Sequence, residues 1–413
     1  MTCEKHRLFV SASPHTELMQ TLVAQVQLRP SAGQASALQA TLRRANAAAN
    51  HLSGMAWEQR AFRRRPLQKV AYHQVRETTG LSAQVVIRLI AKVADAYKKD
   101  RKVKREFDPL GAIAYDARIL RWFPDASTVS IWTVAGRQVV PFVCGAHQAK
   151  MLGWQRGESD LVLRDGKWYL YASVAVPEQE PNGASDVLGV DLGIVNIAYD
   201  SDGERYCGAK VSSLRHRHRR LRRKLQKKGT KAARRLLKMR RRKESRFARD
   251  VNHCISKRIV ATAQCTGRGI ALEDLKGIGE RVQARKPQRA TLASWSFHQL
   301  GTFVAYKAAL SGVPVVFVDP AHTSQECPSC HHTCRANRTR QARFNCVSCG
   351  LAGPADAIAA LNIRARGRVA VMRPDAGEPG GLATAATHGA AATVPPAGDL
   401  ASCLLQLAVH DTL

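Results

Sequence analysis

Three acidic residues stand where a carboxylate is costly unless it is paired or holds a metal. Asp191 interrupts the apolar alternation of Leu188, Val190 and Leu192 within GVDLGIVNIAYDSDG, residues 189–203. Glu273, followed by Asp274, closes the short apolar run Ile270 to Leu272 in GRGIALEDLKGIG, residues 267–279. Asp356 opens a helical pattern in GPADAIAALNI, residues 353–363, whose apolar side is Ile358, Ala359, Leu361 and Ile363. A fold that gathers Asp191, Glu273 and Asp356 makes a hard-oxygen site suited to magnesium, and two such ions about 4 Å apart serve in-line attack on a phosphodiester. Alone, Asp191 reads equally well as a strand-edge residue capping a hairpin turn; the other two segments favour the site. Asp319, at the end of PVVFVDP (314–320), is a fourth candidate by spacing. It ranks lower because the VDP step reads as a turn.

A second constellation is built from sulfur. Cys327-x2-Cys330 and Cys346-x2-Cys349, separated by 15 residues, are two thiolate knuckles of the spacing that closes a tetrahedral zinc site. His331, His332 and Cys334 lie nearby, but four paired cysteines need no further ligand. A closed four-thiolate site has no open position for catalysis, so one zinc is expected here as a structural ion holding a loop with too little core of its own. Arg335, Arg338, Arg340 and Arg343 around it are expected nucleic-acid contacts.

Composition narrows the partner. The 413 residues are 45% hydrophobic, enough for two or three domains with sizeable cores and not a disordered chain. The formal net charge of +32 calls for a polyanion, and nucleic acid is favoured over an acidic membrane surface because no apolar run reaches ~18 residues. MTCEKHRLFV does not read as a signal peptide, so a soluble protein of the bacterial cytosol, with no membrane partner, is expected. Five of the eleven cysteines crowd between Cys327 and Cys349, which favours metal over disulfides. Between Arg215 and Arg246 lie 18 Lys or Arg, among them Arg219, Arg220, Arg222, Arg223 and Lys224 before Gly229, and Arg240, Arg241 and Arg242 after it. Charge this dense repels itself unless phosphates neutralise it. Arg60, Arg63, Arg64 and Arg65 form a smaller cluster.

These residues need elements to position them. TLVAQVQL (21–28) alternates as a strand, and helical blocks follow from Arg29-Pro30, from about Leu67 and over 81–100, with Arg60 to Arg65 between blocks. From Ala112 to Val176 short alternating runs separated by Ala135-Gly136 and Asp165-Gly166 predict a small antiparallel barrel. PEQEPNGAS (177–185) reads as a linker. The basic run predicts two helices broken at Gly229. WSFHQLGTFVAYKAALSG predicts a helix with Trp295, Phe297, Leu300, Phe303, Val304 and Leu310 inward, and PVVFVDP a buried strand; strand, helix, strand alternation gives an α/β sheet layered with helices.

In order, GVDLGIVNIAYD, the basic helices, ALEDLKGI, WSFHQLGTFVAYKAALSG, VDPAHTSQECPSC, FNCVSCG and DAIAALNI resemble the TnpB (OrfB) proteins of insertion sequences, relatives of type V CRISPR effectors, over about residues 20–370. The resemblance implies an RNA-guided DNA endonuclease encoded by a transposable element. It implies Asp191, Glu273 and Asp356 as a RuvC-like, RNase H-fold triad holding two magnesium ions, and Cys327, Cys330, Cys346 and Cys349 as a zinc ribbon. Its partners would be a transposon-derived guide RNA and target DNA, the protein itself being monomeric. The expected domains are a wedge β-barrel (1–30 and 106–185) with an inserted helical recognition domain (31–105), a RuvC-like domain (186–320 and 351–372), the ribbon (321–350) and a disordered tail (373–413). One departure is Ile358, where family members often carry Asn. A strand-joining transposase using the same triad, a non-cleaving RNA-guided regulator, and a zinc-ribbon nucleic-acid binder with a vestigial α/β domain are the alternatives.

Overall fold

The computed structural model describes residues 19–240, 242–275 and 297–372 and divides into two units, Met1–Pro177 and Glu178–Leu413. The expected tail (373–413), the basic loop 281–289, Arg241, and the Trp295 and Phe297 side chains lie outside the described residues.

In the first unit, alternating burial along β1 (Met19–Leu28) buries Ala24, Val26 and Leu28 on one face of the sheet. Ser31 and Gln34 then form a reciprocal capping box that starts α1 (Ala32–Glu58). α2 (Arg64–Thr79) and α3 (Ala83–Lys99) follow; α3 is capped by Ser82 and buries Val85, Leu89, Ile90 and Val93 at helical spacing. Arg63 is the residue before α2, so Arg64 and Arg65 belong to its first turn rather than to a loop between helices. Seven antiparallel strands complete the unit: β2 (Ile113–Tyr115), β3 (Leu120–Phe123), β4 (Thr128–Thr133), β5 (Gly136–Val143), β6 (Gln155–Arg164) and β7 (Lys167–Pro177) join β1 in the order β2-β6-β7-β1-β5-β4-β3, with the short α4 (Ala146–Leu152) before β6. The helices α1 to α3 are thus an insertion between two strands of one sheet.

The second unit is a five-stranded α/β sheet. β8 (Val187–Asp191), β9 (Asn196–Asp200) and β10 (Arg205–Cys207) form an antiparallel meander, while β11 (Gly269–Glu273) and β12 (Val315–Val318) join parallel to β8, giving the order β10-β9-β8-β11-β12. One face packs on α7 (Lys243–Cys265) and α8 (Phe297–Leu310), with Leu188, Val190, Ile270 and Leu272 against Ile255, Ile259, Leu300 and Val304. The other face packs on α9 (Ala355–Met372). β12 is the sheet edge and Phe317 is 50% exposed, so this strand is not the buried one its sequence suggested; apolar content cannot distinguish an edge from a centre. The basic run makes three helices, not two: α5 (Ala209–Lys228), α6 (Lys231–Arg240) and α7, with a second break where Arg242 takes a left-handed φ of 70°.

α9 lies unusually close to the sheet. A Cβ on Gly189 would overlap the Ala360 carbonyl, and one on Gly367 would overlap the Ala271 side chain. Gly189→Ala should therefore destabilise the unit by ~1–3 kcal/mol through overpacking against backbone that cannot move aside. Thermal denaturation should show a fall of roughly 2–10 °C. An unchanged melting temperature would mean the helix can be displaced freely.

Candidate active site and metal centre

The first two carboxylates arrive side by side because β8 and β11 are parallel neighbours. Leu272 stands opposite Val190, and one residue further, at the C-terminal end of each strand, come Glu273 and Asp191. Carboxyl ends of strands in open α/β sheets are where ligands bind. Asp356 comes from elsewhere: it is the second residue of α9, which starts directly after the ribbon strand β14 (Ala352–Pro354) and lies across β8 and β11.

The electrostatics tie the three together. Burial holds the Asp191 carboxyl well above the usual range, Glu273 and Asp356 push it further, and Arg338 and the Leu192 N–H oppose them. Burial also raises Glu273, against the Thr323 hydroxyl, Arg366 and Arg338. Asn196 Nδ2 donates to Asp356 Oδ2 at 2.8 Å, and Arg338 Nη2 lies 3.9 Å from Asp356 Oδ1. Thr323 Oγ1 donates to Glu273 Oε1 at 2.7 Å. Asp191 and Glu273, which burial makes hard to ionise, form with Asp356 a hard-oxygen donor set that fits magnesium. Asp319, the fourth candidate, instead accepts a bond from the Ala321 N–H, as a turn residue does.

These shifts have a sign. A carboxyl harder to ionise in the folded than in the unfolded state reduces stability as pH rises above the ordinary carboxylate range toward its raised pKa. Magnesium-free protein should therefore melt lower at pH 8 than at pH 5 on this account, and Asp191→Asn should melt higher than native protein at pH 8. Native protein that melts equally at both pH values, together with an Asp191→Asn variant that shows no gain at pH 8, would remove the carboxylate strain.

The sulfur site is the tighter cluster. Among the described residues, the Sγ atoms of Cys327, Cys330, Cys346 and Cys349 form the one group of three or more potential metal ligands lying within 4.8 Å of one another, so the three carboxylates are more widely spread. Cys327–Cys349 and Cys330–Cys346 are each 3.5 Å apart as free thiols, near the ~3.8 Å edge of a tetrahedron with ~2.3 Å zinc–sulfur bonds. The Cys349 N–H and then the Ser348 N–H draw the Cys346 thiol down to about 6. A bond from the Leu351 N–H also pulls Cys349 down, yet the sulfurs of Cys330 and Cys327 prevail and push it to about 12, because thiols this close cannot all ionise on their own. The donor set fits zinc. β13 (Arg343–Asn345) and β14 form the hairpin around the second knuckle, and Phe344 packs with Cys327, Cys346, Ala355 and Ile358. Ile358 is thus a ribbon-packing residue. Metal analysis should find about one zinc per chain, and Cys346→Ser should lose both the zinc and the placement of Asp356, with cleavage lost too. Full cleavage by a zinc-free protein would separate the ribbon from the site.

The predicted nucleic-acid residues Arg63, Arg64, Arg219, Arg220, Arg222, Arg223, Lys224, Arg240, Arg242 and Arg343 are all exposed. Arg222 and Arg215 approach Glu244 at 3.8 and 3.3 Å, which ties α5 to the start of α7. Arg338, expected from the sequence as a nucleic-acid contact, lies beside Asp356 and opposes the upward shifts of Asp191 and Glu273. Sequence reasoning missed Asn196 and Thr323 altogether; their proximity to GVDLG and to the first knuckle was the available signal.

Residues 170–277 match the family OrfB_IS605, described as a probable transposase, and residues 297–363 match the Cas12f1-like TNB domain. The chain is 29% identical over 206 residues to the TnpB-like protein MJ0751 of Methanocaldococcus jannaschii, covering 46% of this chain and 73% of that one. The chain is related to the TnpB (OrfB) proteins. It is also 32% identical over 203 residues to the CRISPR-associated endodeoxyribonuclease Cas12f1 of Syntrophomonas palmitatica, covering 45% of this chain. That match spans 40% of the relative's own length, and a second Cas12f1, from Sulfoacidibacillus thermotolerans, is matched over 50% of its length. A cryo-EM structure of a Cas12f1-sgRNA-target DNA complex superposes with a TM-score of 0.56 at 15% identity, over 80% of this chain and 83% of that one. The α/β fold of this TnpB relative is thus that of the Cas12f1 structure. Among the described residues no helix is long and apolar enough to cross a membrane.

Proposed function

We propose that this TnpB relative is an RNA-guided DNA endonuclease encoded by a transposable element. The observation that carries the reading is the convergence on one sheet end of Asp191 and Glu273, from parallel neighbours, with Asp356, from the helix packed across them. The antiparallel meander followed by two parallel strands is the strand order of an RNase H-like nuclease, which supports the RuvC-like assignment, and the seven-stranded sheet with its helical insertion supports a wedge and recognition lobe.

Asp191, Glu273 and Asp356 would hold two magnesium ions, which when bound supply an activated water and stabilise the leaving 3′ oxygen. The protein's own part is placement. Asn196 fixes one oxygen of Asp356, Thr323 fixes one of Glu273, and Arg338 supplies positive charge where a scissile phosphate would bring negative. The exposed arginines and lysines of α5 and α6, with Arg343 on the ribbon, would grip phosphates without reading sequence. Base pairing with a transposon-derived RNA would then choose the target while the protein reads a short flanking motif. The printed names of the relatives, an endodeoxyribonuclease and a complex with guide RNA and target DNA, support this division of labour. The test is cleavage of a matched plasmid in magnesium by native and Asp191→Ala protein, with the native RNA or one whose terminal segment is scrambled. Cutting that depends on neither Asp191 nor the RNA sequence would overturn the reading.

A further inference from the structure

The run AHTSQEC, residues 321–327, supplies a zinc ligand only at its last position, yet Thr323 is 3% exposed. Its hydroxyl has one proton and two acceptors in reach: Glu273 Oε1 at 2.7 Å and the Pro320 carbonyl at 3.1 Å. The residue is also gripped from behind. Asn362 Nδ2 on α9, itself 3% exposed, donates to the Thr323 carbonyl at 2.7 Å and to the Glu326 carbonyl at 2.8 Å. The Gln325 and Glu326 N–H groups both close onto the His322 carbonyl, so the backbone of this turn has little freedom.

We propose that Thr323, held by Asn362, is a positioning residue that aims Glu273 at the divalent ions. A glutamate carries three side-chain torsions, and a strand end alone does not choose among them. One short hydroxyl bond fixes Oε1 and leaves Oε2 as the free ligand atom. Groups that orient metal-binding carboxylates in this way typically change metal affinity or activity 10–100-fold when removed. The consequence is that α9 directs two of the three carboxylates: Asp356, which it carries, and Glu273, through Asn362 and Thr323. This inference rests on the nuclease reading above.

The experiment uses full-length, zinc-loaded protein and three variants: Thr323→Val, which keeps the shape and removes the donor; Thr323→Ala, which removes it without a branched methyl; and Thr323→Ser, which restores it. Free Mn²⁺ is followed by electron paramagnetic resonance in the absence of nucleic acid, and cleavage is measured against magnesium concentration. Thr323→Val and Thr323→Ala should weaken Mn²⁺ binding about tenfold or more and raise the magnesium needed for half-maximal cutting by a similar factor. Zinc content and DNA affinity should stay near native, and Thr323→Ser should recover native behaviour. Native Mn²⁺ affinity in both donor-less variants would overturn the inference, as would a Thr323→Ser protein as impaired as Thr323→Val. Asp191→Ala, run alongside, separates the two failures: if it is inactive while the Thr323 variants are native, only the positioning role is wrong, and if it cuts normally the nuclease site itself is misassigned.

Discussion

In magnesium, Asp191→Ala cuts a matched plasmid at least ~10³-fold more slowly than native protein, while its affinity for DNA is unchanged or slightly higher. The loss is large because a held metal ion contributes several kcal/mol of transition-state stabilisation and each ~1.4 kcal/mol is a factor of ten in rate. Affinity should survive because, on the proposed reading, it comes from a different part of the molecule, the cationic faces of α5 and α6, and because removing a carboxylate lowers repulsion of phosphate. Burial and two acidic neighbours already hold Asp191 above the usual carboxylate range, so its removal relieves strain rather than opening a hole in the fold. A filter-binding isotherm and a cleavage time course on the same preparation check both halves. Comparable cutting by variant and native protein would show that the carboxylates do not hold the catalytic ions.

What could be read from residue order was what depends on short range. Asp191 and Glu273 each end an apolar run, so both strands and their acidic ends were visible. The four cysteines declared their own geometry by spacing. That the carboxylates meet was not visible from composition or periodicity, since Asn196 reaches Asp356 across 160 positions and Thr323 reaches Glu273 across 50. The ordered family motifs supplied that step. Asn362 carries no charge and follows no spacing rule, so only the folded chain marks it, and Thr323 had no signal beyond its nearness to the first knuckle. Arg242 shows the same limit for backbone: a left-handed φ at a non-glycine residue has no local signature, and the second break in the basic run stayed hidden.

Stripped of nucleic acid, the protein should cut DNA only after its RNA is restored, and only when the terminal segment of that RNA matches the target. A chain with 32 excess positive charges, 18 of its basic residues in one run, has more cationic surface than a short duplex contact uses. Six to ten phosphate contacts already make affinity fall ~10³ to 10⁵-fold between 50 and 200 mM salt. On the proposed reading, an RNA scaffold would occupy the remainder. Replacing Arg219, Arg220, Arg222 and Arg223 with neutral residues should flatten that salt dependence by up to four contacts and weaken all sequences alike, the mark of phosphate binding without base readout. Two nucleic-acid preparations, one native and one scrambled at its end, assayed on the same plasmid, give the decisive contrast. Equal cutting with either, or with none, would leave a protein-directed or non-specific nuclease.

The order of the site along the chain has a consequence for biogenesis. During synthesis the basic helices and the first two carboxylates leave the ribosome well before α9, which comes only after the ribbon and carries Asp356 at its start. A nascent or prematurely terminated chain that stops before residue 355 therefore has the basic helices but not the third carboxylate, Asp356. On the proposed reading, nonsense or frameshift alleles in the ribbon would leave fragments that keep the basic helices and lack the third carboxylate, and such fragments would compete with the complete protein for nucleic acid instead of merely failing to replace it.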